Sequence, residues 1–248
     1  MASFGPLPLG RRRIQARVLV LYRVRPERLA ALLPAGLTPR LLRGHAVAAA
    51  CYTRLEPVLP GSRAQGSEHL AYRFAATGAD GTPTGFVARR ATSSWLEARC
   101  SRLLRGTQGR ARFVCSADPF ALELAVQGEA GEEFYLRGEA APAPRAALFA
   151  HPHELAEFLG AEQEVRPHDL FAPEADQLEL AEGFAPEPLC AFEVRSHFLS
   201  SAPFAPDEIE LDSAWRLVTR RLVRSPARRA SFRMLPERPG TAPLFPTS

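Results

Sequence analysis

Prolines and glycines cut this chain into short pieces, and that punctuation limits what it can fold into. Across 248 residues there are 23 prolines and 17 glycines, with proline near 9% against a usual ~5%. Between the breaks lie short stretches that alternate apolar and polar, the period of half-buried strands. Residues 14–24 read as a first strand. Pro26 then opens a helix over 27–33, ended by Pro34 and Gly36, because proline in a first turn gives up no needed donor. A long strand is expected over 44–57, around an alanine-rich run. Residues 69–74 alternate, and 81–85 turn into a strand at 86–90.

Ser94-Trp95-Leu96-Glu97 fits a capping box, in which the hydroxyl bonds the amide three residues on while the carboxylate reaches back. It predicts a helix over 95–104, stopped by Gly106. Strands follow at 110–116, 120–127 and 133–139, the middle one with Phe120, Leu122, Leu124 and Val126 on one face. Pro152 starts a helix over 153–159, closed by Gly160 as a C′ residue. Residues 161–176 read as loop, and strands resume at 177–181, 189–199 and 208–218. About nine strands with two or three short helices make an α+β, mainly antiparallel domain. It spans residues 1–225, with a Pro/Arg-rich tail at 226–248.

The charge balance excludes some partners. Net charge is +4 and the sequence pI is about 9.2. With 27 acidic residues, that falls short of a dedicated nucleic-acid binder. Arg216, Arg220, Arg221, Arg224, Arg228, Arg229 and Arg233 cluster near the C-terminus. They read as a solvated face, with contact to an anionic polymer or membrane surface as the alternative. The longest uncharged apolar run, 46–52, is far below the ~20 residues of a membrane-spanning helix.

Cys51, Cys100, Cys115 and Cys190 show no C-x-x-C spacing and sit in apolar contexts, as free buried thiols do. Residues 1–15 lack the apolar core of a signal peptide, so a reduced, cytoplasmic setting is expected. His151-Pro152-His153-Glu154 is the densest ligand-like cluster. A proline at a helix start separates its two rings and is expected to make them diverge, so no metal and no cofactor is expected. There is no G-x-S-x-G elbow, no P-loop and no G-x-G-x-x-G.

Every one of the 31 Lys+Arg residues is arginine. A guanidinium does not lose its proton in a protein, so none of these side chains can become an amine nucleophile. Within this sequence the only primary amine is the α-amino group of Met1. Arginines at expected inward positions of strands are then the natural acid-recognition groups, because the forked guanidinium matches a carboxylate. Arg73 shares its face with Ala71 and His69, and Arg195 alternates with His197. Arg89 and Arg90 occupy opposite faces, so at most one points inward. Glu68, Glu97, Asp212 or a bound carboxylate would supply the partner that a desolvated guanidinium requires.

Several segments together resemble the acetoacetate-decarboxylase-like superfamily, specifically its large uncharacterised branch. The resemblance rests first on residues 22–37 (YRVRPERLAALLPAGL), a strand followed by a helix and a proline–glycine turn. Residues 68–73 (EHLAYR), 85–90 (GFVARR), the helix after Thr92-Ser93-Ser94, 153–158 (HELAEF) and 212–215 (DSAW) follow in order. The likeness covers 14 to about 224. It implies a closed or nearly closed antiparallel β-barrel or cone around an internal cavity, flanked by short helices.

In the decarboxylases a lysine forms a Schiff base with the β-keto acid, its pKa depressed by an adjacent lysine. By order along the chain that pair would fall near residues 95–105, which here read WLEARCSRLLR. The resemblance therefore implies the fold without the decarboxylation chemistry. Two readings follow. One is a binding protein for a small organic acid or carbonyl compound, with Arg73, Glu68, Tyr72, Arg89, Trp95 and Arg195 at the ligand. The other is a lyase, hydratase or isomerase, with Glu97, Glu68 or His197 as general base and an arginine stabilising an oxyanion. A weaker third is an interaction module built on the basic C-terminal segment. Homo-oligomerisation is compatible with all three.

Overall fold

Nine strands pair edge to edge until the sheet meets itself. The computed structural model describes residues 12–57, 66–103, 108–118, 121–144, 146–161, 164–167, 184–201, 204–205 and 207–219. The expected strand at 177–181 and the tail at 226–248 lie outside these residues. The strands are β1 (Arg12–Val24), β2 (Leu37–Pro39), β3 (Leu41–Leu42), β4 (His45–Pro57), β5 (Ser67–Gly78) and β6 (Pro83–Thr92). They continue with β7 (Gln108–Ala117), β8 (Ala121–Gly128), β9 (Gly131–Ala140), β10 (Glu164–Pro167), β11 (Phe184–Ser196) and β12 (Ile209–Thr219). Three short helices accompany them: α1 (Pro26–Leu32), α2 (Trp95–Leu103) and α3 (Pro152–Gly160).

The ring runs β6-β7-β8-β9-β11-β12-β1-β4-β5 and closes where β5 pairs with β6. Most neighbours are antiparallel, as the short connections demand. Two pairings are parallel. One is β6 with β7, at Arg90–Thr92 against Gln108–Arg110, and α2 supplies the crossover that parallel strands need. The other is β6 with β10, which places a short strand inside the stretch 161–176 that reads as loop. The tiny strands β2 and β3 have no alternation long enough to announce them. Gly160 is the last helical residue of α3 and the cap is Ala161 in right-handed geometry, so Gly160 is not a left-handed C′ residue. Strand β11 stops at Ser196, with residues 197–199 in a turn.

Alternation then sorts residues onto two cores. The inner one gathers Val18, Val20, Tyr22, Ala48, Ala50, Tyr52, Leu70, Tyr72, Phe74, Leu124, Phe134 and Leu136, among others. The outer one lies under α3, where Leu155, Phe158 and Leu159 meet Leu19, Leu21, Val47, Cys51, Ala75 and Trp215. Burying each large apolar side chain contributes about 1.5–3 kcal/mol. The alanine run of β4 has weak strand propensity of its own. It is a strand because Ala46, Ala48 and Ala50 fill the inner core while Val47 and Cys51 serve the outer, so packing on two faces decides.

One polar anchor ties α3's approach to the wall. The buried carboxylate of Asp212 accepts from the amides of Ala147 (2.9 Å) and Leu148 (3.1 Å). Ser213 donates to the same carboxylate, and Trp215 Nε1 donates to the Ser213 hydroxyl at 2.9 Å. Asp212 thus serves the outer layer, with Arg23 as its ion-pair partner at 3.4 Å.

Candidate functional site

Two β-bulges carry charge into the inner face. The register of β5 on β6 slips between Tyr72 and Arg73, leaving Ala88 as an extra residue, so Arg89 stands opposite Tyr72 and Arg90 opposite Ala71. A bulge resets which side chains face inward. Tyr72 lines the inner core, so Arg89 takes the inner face and Arg90 the outer. On β9 the register against β8 slips between Val126 and Gln127, leaving Glu133 as the extra residue beside inward Phe134. Gly128 makes room for it: a Cβ there would stand 2.8 Å from Glu133 Oε2.

Arg89 Nε and Glu133 Oε1 lie 3.1 Å apart, with side-chain exposures of 42% and 6%. Their alignment is that of an ion pair rather than a hydrogen bond, and Oε1 accepts no hydrogen bond among the described residues. Burial pushes the Glu133 carboxyl above its ordinary range, while Arg89 and then His197 pull it back. The Tyr72 hydroxyl donates to the Glu133 backbone carbonyl at 3.1 Å and accepts from Ser196 at 3.3 Å. The Tyr72 ring stacks at a tilt on Phe198, centroids 4.7 Å apart. A charge pair, two hydroxyls and aromatic walls thus meet where β5, β6, β9 and β11 converge.

Further along the same inner face, Tyr52 donates to Glu68 Oε1 at 2.7 Å. Burial first, then the bond to Glu68, holds the Tyr52 phenol well above its ordinary range. The backbone amide of Glu68 donates to the Ser93 hydroxyl at 2.9 Å, fixing the strand that carries it.

Of the residues expected at a ligand, the fold brings Tyr72 and Arg89 together and sets Glu68 on the same face but four residues along β5, where it is bonded to Tyr52. Arg73 does not point inward. It shares the outer face with Ala75, whose side chain belongs to the outer core, because the inward set on β5 is Leu70, Tyr72 and Phe74. Arg195 is not inward either: it is half-exposed, held by Glu132 and Glu193, and lies over the Tyr135 ring. Trp95 is 61% exposed. Glu97 is buried on the outer side, where it accepts from Thr92 at 3.1 Å and stands 3.6 Å from His69 Nε2. Its amide donates to Ser94 as the capping box requires, so Glu97 clamps α2 onto the wall. His197 is exposed and reaches Glu133 through its backbone amide, 3.0 Å from the Glu133 carbonyl.

Sequence reasoning missed Glu133, Ser196 and Tyr22. Nothing in the run Glu132-Glu133 marks which carboxylate is buried, since the bulge is set by the partner strand. Ser196 was one step away in the Arg195–His197 alternation, on the face opposite both. The expected divergence of His151 and His153 is also corrected: their rings stack, 5.4 Å apart and 10° from parallel. Among the described residues no group of three or more His, Cys, Asp or Glu could hold a metal ion. No described helix is long and apolar enough to cross a membrane.

Comparison with solved structures agrees with this architecture. The enduracididine biosynthesis enzyme MppR, complexed with pyruvate, superposes with a TM-score of 0.54 at 13% identity, covering 82% of this chain and 84% of that one. This chain has the acetoacetate-decarboxylase-like fold. An acetoacetate decarboxylase-like enzyme from Sphingomonas wittichii RW1 matches with a TM-score of 0.50 at 14% identity, over 88% of this chain and 95% of that one. MppR is also known complexed with the condensation product of pyruvate and imidazole 4-carboxaldehyde, at a TM-score of 0.53. No family model and no curated protein matches the sequence. Within the acetoacetate-decarboxylase-like fold, the Arg89–Glu133 pair lies beside the inward Tyr72.

Proposed function

We propose that this acetoacetate-decarboxylase-like chain binds a small carboxylate or carbonyl compound at the Arg89–Glu133 end of the barrel, without a Schiff base. The observation that carries the reading is a guanidinium–carboxylate pair set into an apolar lining, its Oε1 accepting no hydrogen bond among the described residues. A buried acceptor that meets no donor costs about 1–3 kcal/mol, and a proton taken up by Glu133 removes that cost by turning the oxygen into a donor that a ligand oxygen can accept from. The guanidinium fork holds the ligand's carboxylate, and Glu133 balances charge by taking up a proton when the ligand competes for Arg89. Covalent capture through a side-chain amine is absent from the mechanism, because the sequence contains no lysine.

A second reading, a lyase, hydratase or isomerase, is favoured by the same carboxylate. Burial raises the Glu133 carboxyl, which moves it toward the working range of a general base. Glu133 then replaces Glu97 and His197 as the group to take a proton from a carbon beside the ligand's carbonyl.

Pyruvate is the first probe, since it is bound in a solved neighbour of the same fold. Calorimetric titration of the full chain is expected to show binding that weakens at least about tenfold in Arg89→Leu, the loss of a charge-assisted contact. Borohydride treatment with pyruvate is expected to leave the mass of every internal peptide unchanged. Affinity indifferent to Arg89→Leu, or a reduced adduct on an internal residue, overturns the proposal. Exchange of the pyruvate methyl protons with deuterated solvent, lost in Glu133→Gln, selects the second reading.

A further inference from the structure

The inner face holds one more polar group without a role. Tyr22, on β1, is 7% exposed and belongs to the inner core, yet its hydroxyl makes no hydrogen bond among the described residues. A phenol has a polar tip that normally finds a partner when buried, and an unmet buried hydroxyl costs about 1–3 kcal/mol. Burial drives its proton affinity up, so at ordinary pH it is a neutral donor. Tyr22 and Tyr72 both belong to the inner core, on the two strands that flank β4, which puts the unused hydroxyl on the same inner wall as the residue that stands opposite Arg89. Tyr22 stands opposite Ala48 on β4, and Ala50 stands opposite Tyr72. Only methyl groups therefore line the inner face of the strand between the two phenols.

We infer that Tyr22 is a specificity-determining contact, donating to a second, uncharged oxygen of the ligand, so that the site selects oxo acids over simple carboxylates. The inference rests on the proposed binding at Arg89 and refines it. Arg89 recognises the carboxylate and Tyr22 the carbonyl. An acid without the carbonyl leaves the Tyr22 hydroxyl as unmet as it is in the empty protein. Tyr72 cannot replace it, because its hydroxyl is already engaged by the Glu133 carbonyl and Ser196. Selectivity of this kind, set by whether a buried donor is met, exceeds what apolar shape alone provides.

The test pairs two probes that differ by one oxygen, pyruvate and propionate, titrated into the full-length protein and into Tyr22→Phe. The parent chain is expected to prefer pyruvate by about tenfold, and Tyr22→Phe to lose most of that preference while binding propionate unchanged. A preference that survives Tyr22→Phe overturns the inference while leaving the Arg89 reading intact. Binding of neither probe, or binding of both that ignores Arg89→Leu, overturns the two together. Ligand-free stability supplies an independent check. Removing an unmet hydroxyl is expected to leave the denaturation midpoint of Tyr22→Phe unchanged or raised, and a clearly lowered midpoint shows that the hydroxyl had a partner, which overturns the inference.

Discussion

The two faces of the β1–β4–β5–β6 wall handle arginine differently. On the inner face Arg89 is matched by a carboxylate, Glu133, 3.1 Å away. On the outer face Arg17 and Arg73 flank a thiol, with Arg17 Nε donating to Cys51 Sγ at 3.3 Å. Burial alone would raise the Cys51 thiol, but the two guanidiniums and the bonds from Arg17 and Thr53 more than offset it and lower it overall. The carboxylate inside moves up because burial outweighs its charged neighbours, and the thiol outside moves down because its neighbours outweigh burial. Position in the strand, rather than residue type, decides whether an arginine serves a site or a structural layer.

The largest effect that sharpens this contrast belongs to the outer layer. Trp215 is fully buried between wall and helix, and Trp215→Ala is expected to cost about 3–5 kcal/mol in urea denaturation, with pyruvate binding by the remaining folded protein unchanged. Loss of binding out of proportion to folding would join the two faces into one functional unit.

A smaller effect tests the inner face. Because Glu133 has its carboxyl raised above its ordinary 4.5, the native state holds the extra proton between that value and the raised one. Stability therefore falls as pH climbs through this window and levels off above it. Glu133→Gln is expected to lack that decline when denaturation midpoints of the two proteins are compared from pH 4 upward. Parallel profiles would place the carboxylate in solvent. The smallest effect is on Arg195, whose partners are exposed: Arg195→Ala is expected to leave both the denaturation midpoint and ligand affinity essentially where they are.

How much of this was legible in the sequence depends on the kind of information required. Strand β1, helix α1 and the hairpin β8–β9 follow from local alternation and from proline and glycine positions. That Arg89 and Arg90 face opposite ways also follows, since side chains alternate on any strand. Which of them is inward does not, because the phase of β6 is reset by a bulge against β5. The same limit misassigned Arg73: its company with Ala71 and His69 was correctly read, but alternation has no sign, and the aromatic set Tyr72–Phe74 owned the interior. Glu133 was invisible because the space for its carboxylate is made by a missing Cβ at Gly128, across the β8–β9 hairpin. Glu97 was read as half of a capping box, and its amide bond to Ser94 agrees. Its carboxylate goes to Thr92, five residues upstream, and to His69, which the pairing of β5 with β6 sets opposite Thr92.

Strand β6 has an unusual assignment of its edges. One edge faces β5 along its length, while the other is divided between β10 at Thr84–Val87 and β7 at Arg90–Thr92. Closure of the whole cylinder on that side hangs on three residue pairs next to Arg89. The cation of the proposed site thus rides on the hoop's fastening, and any disturbance of that clasp is felt at the guanidinium with no intermediary.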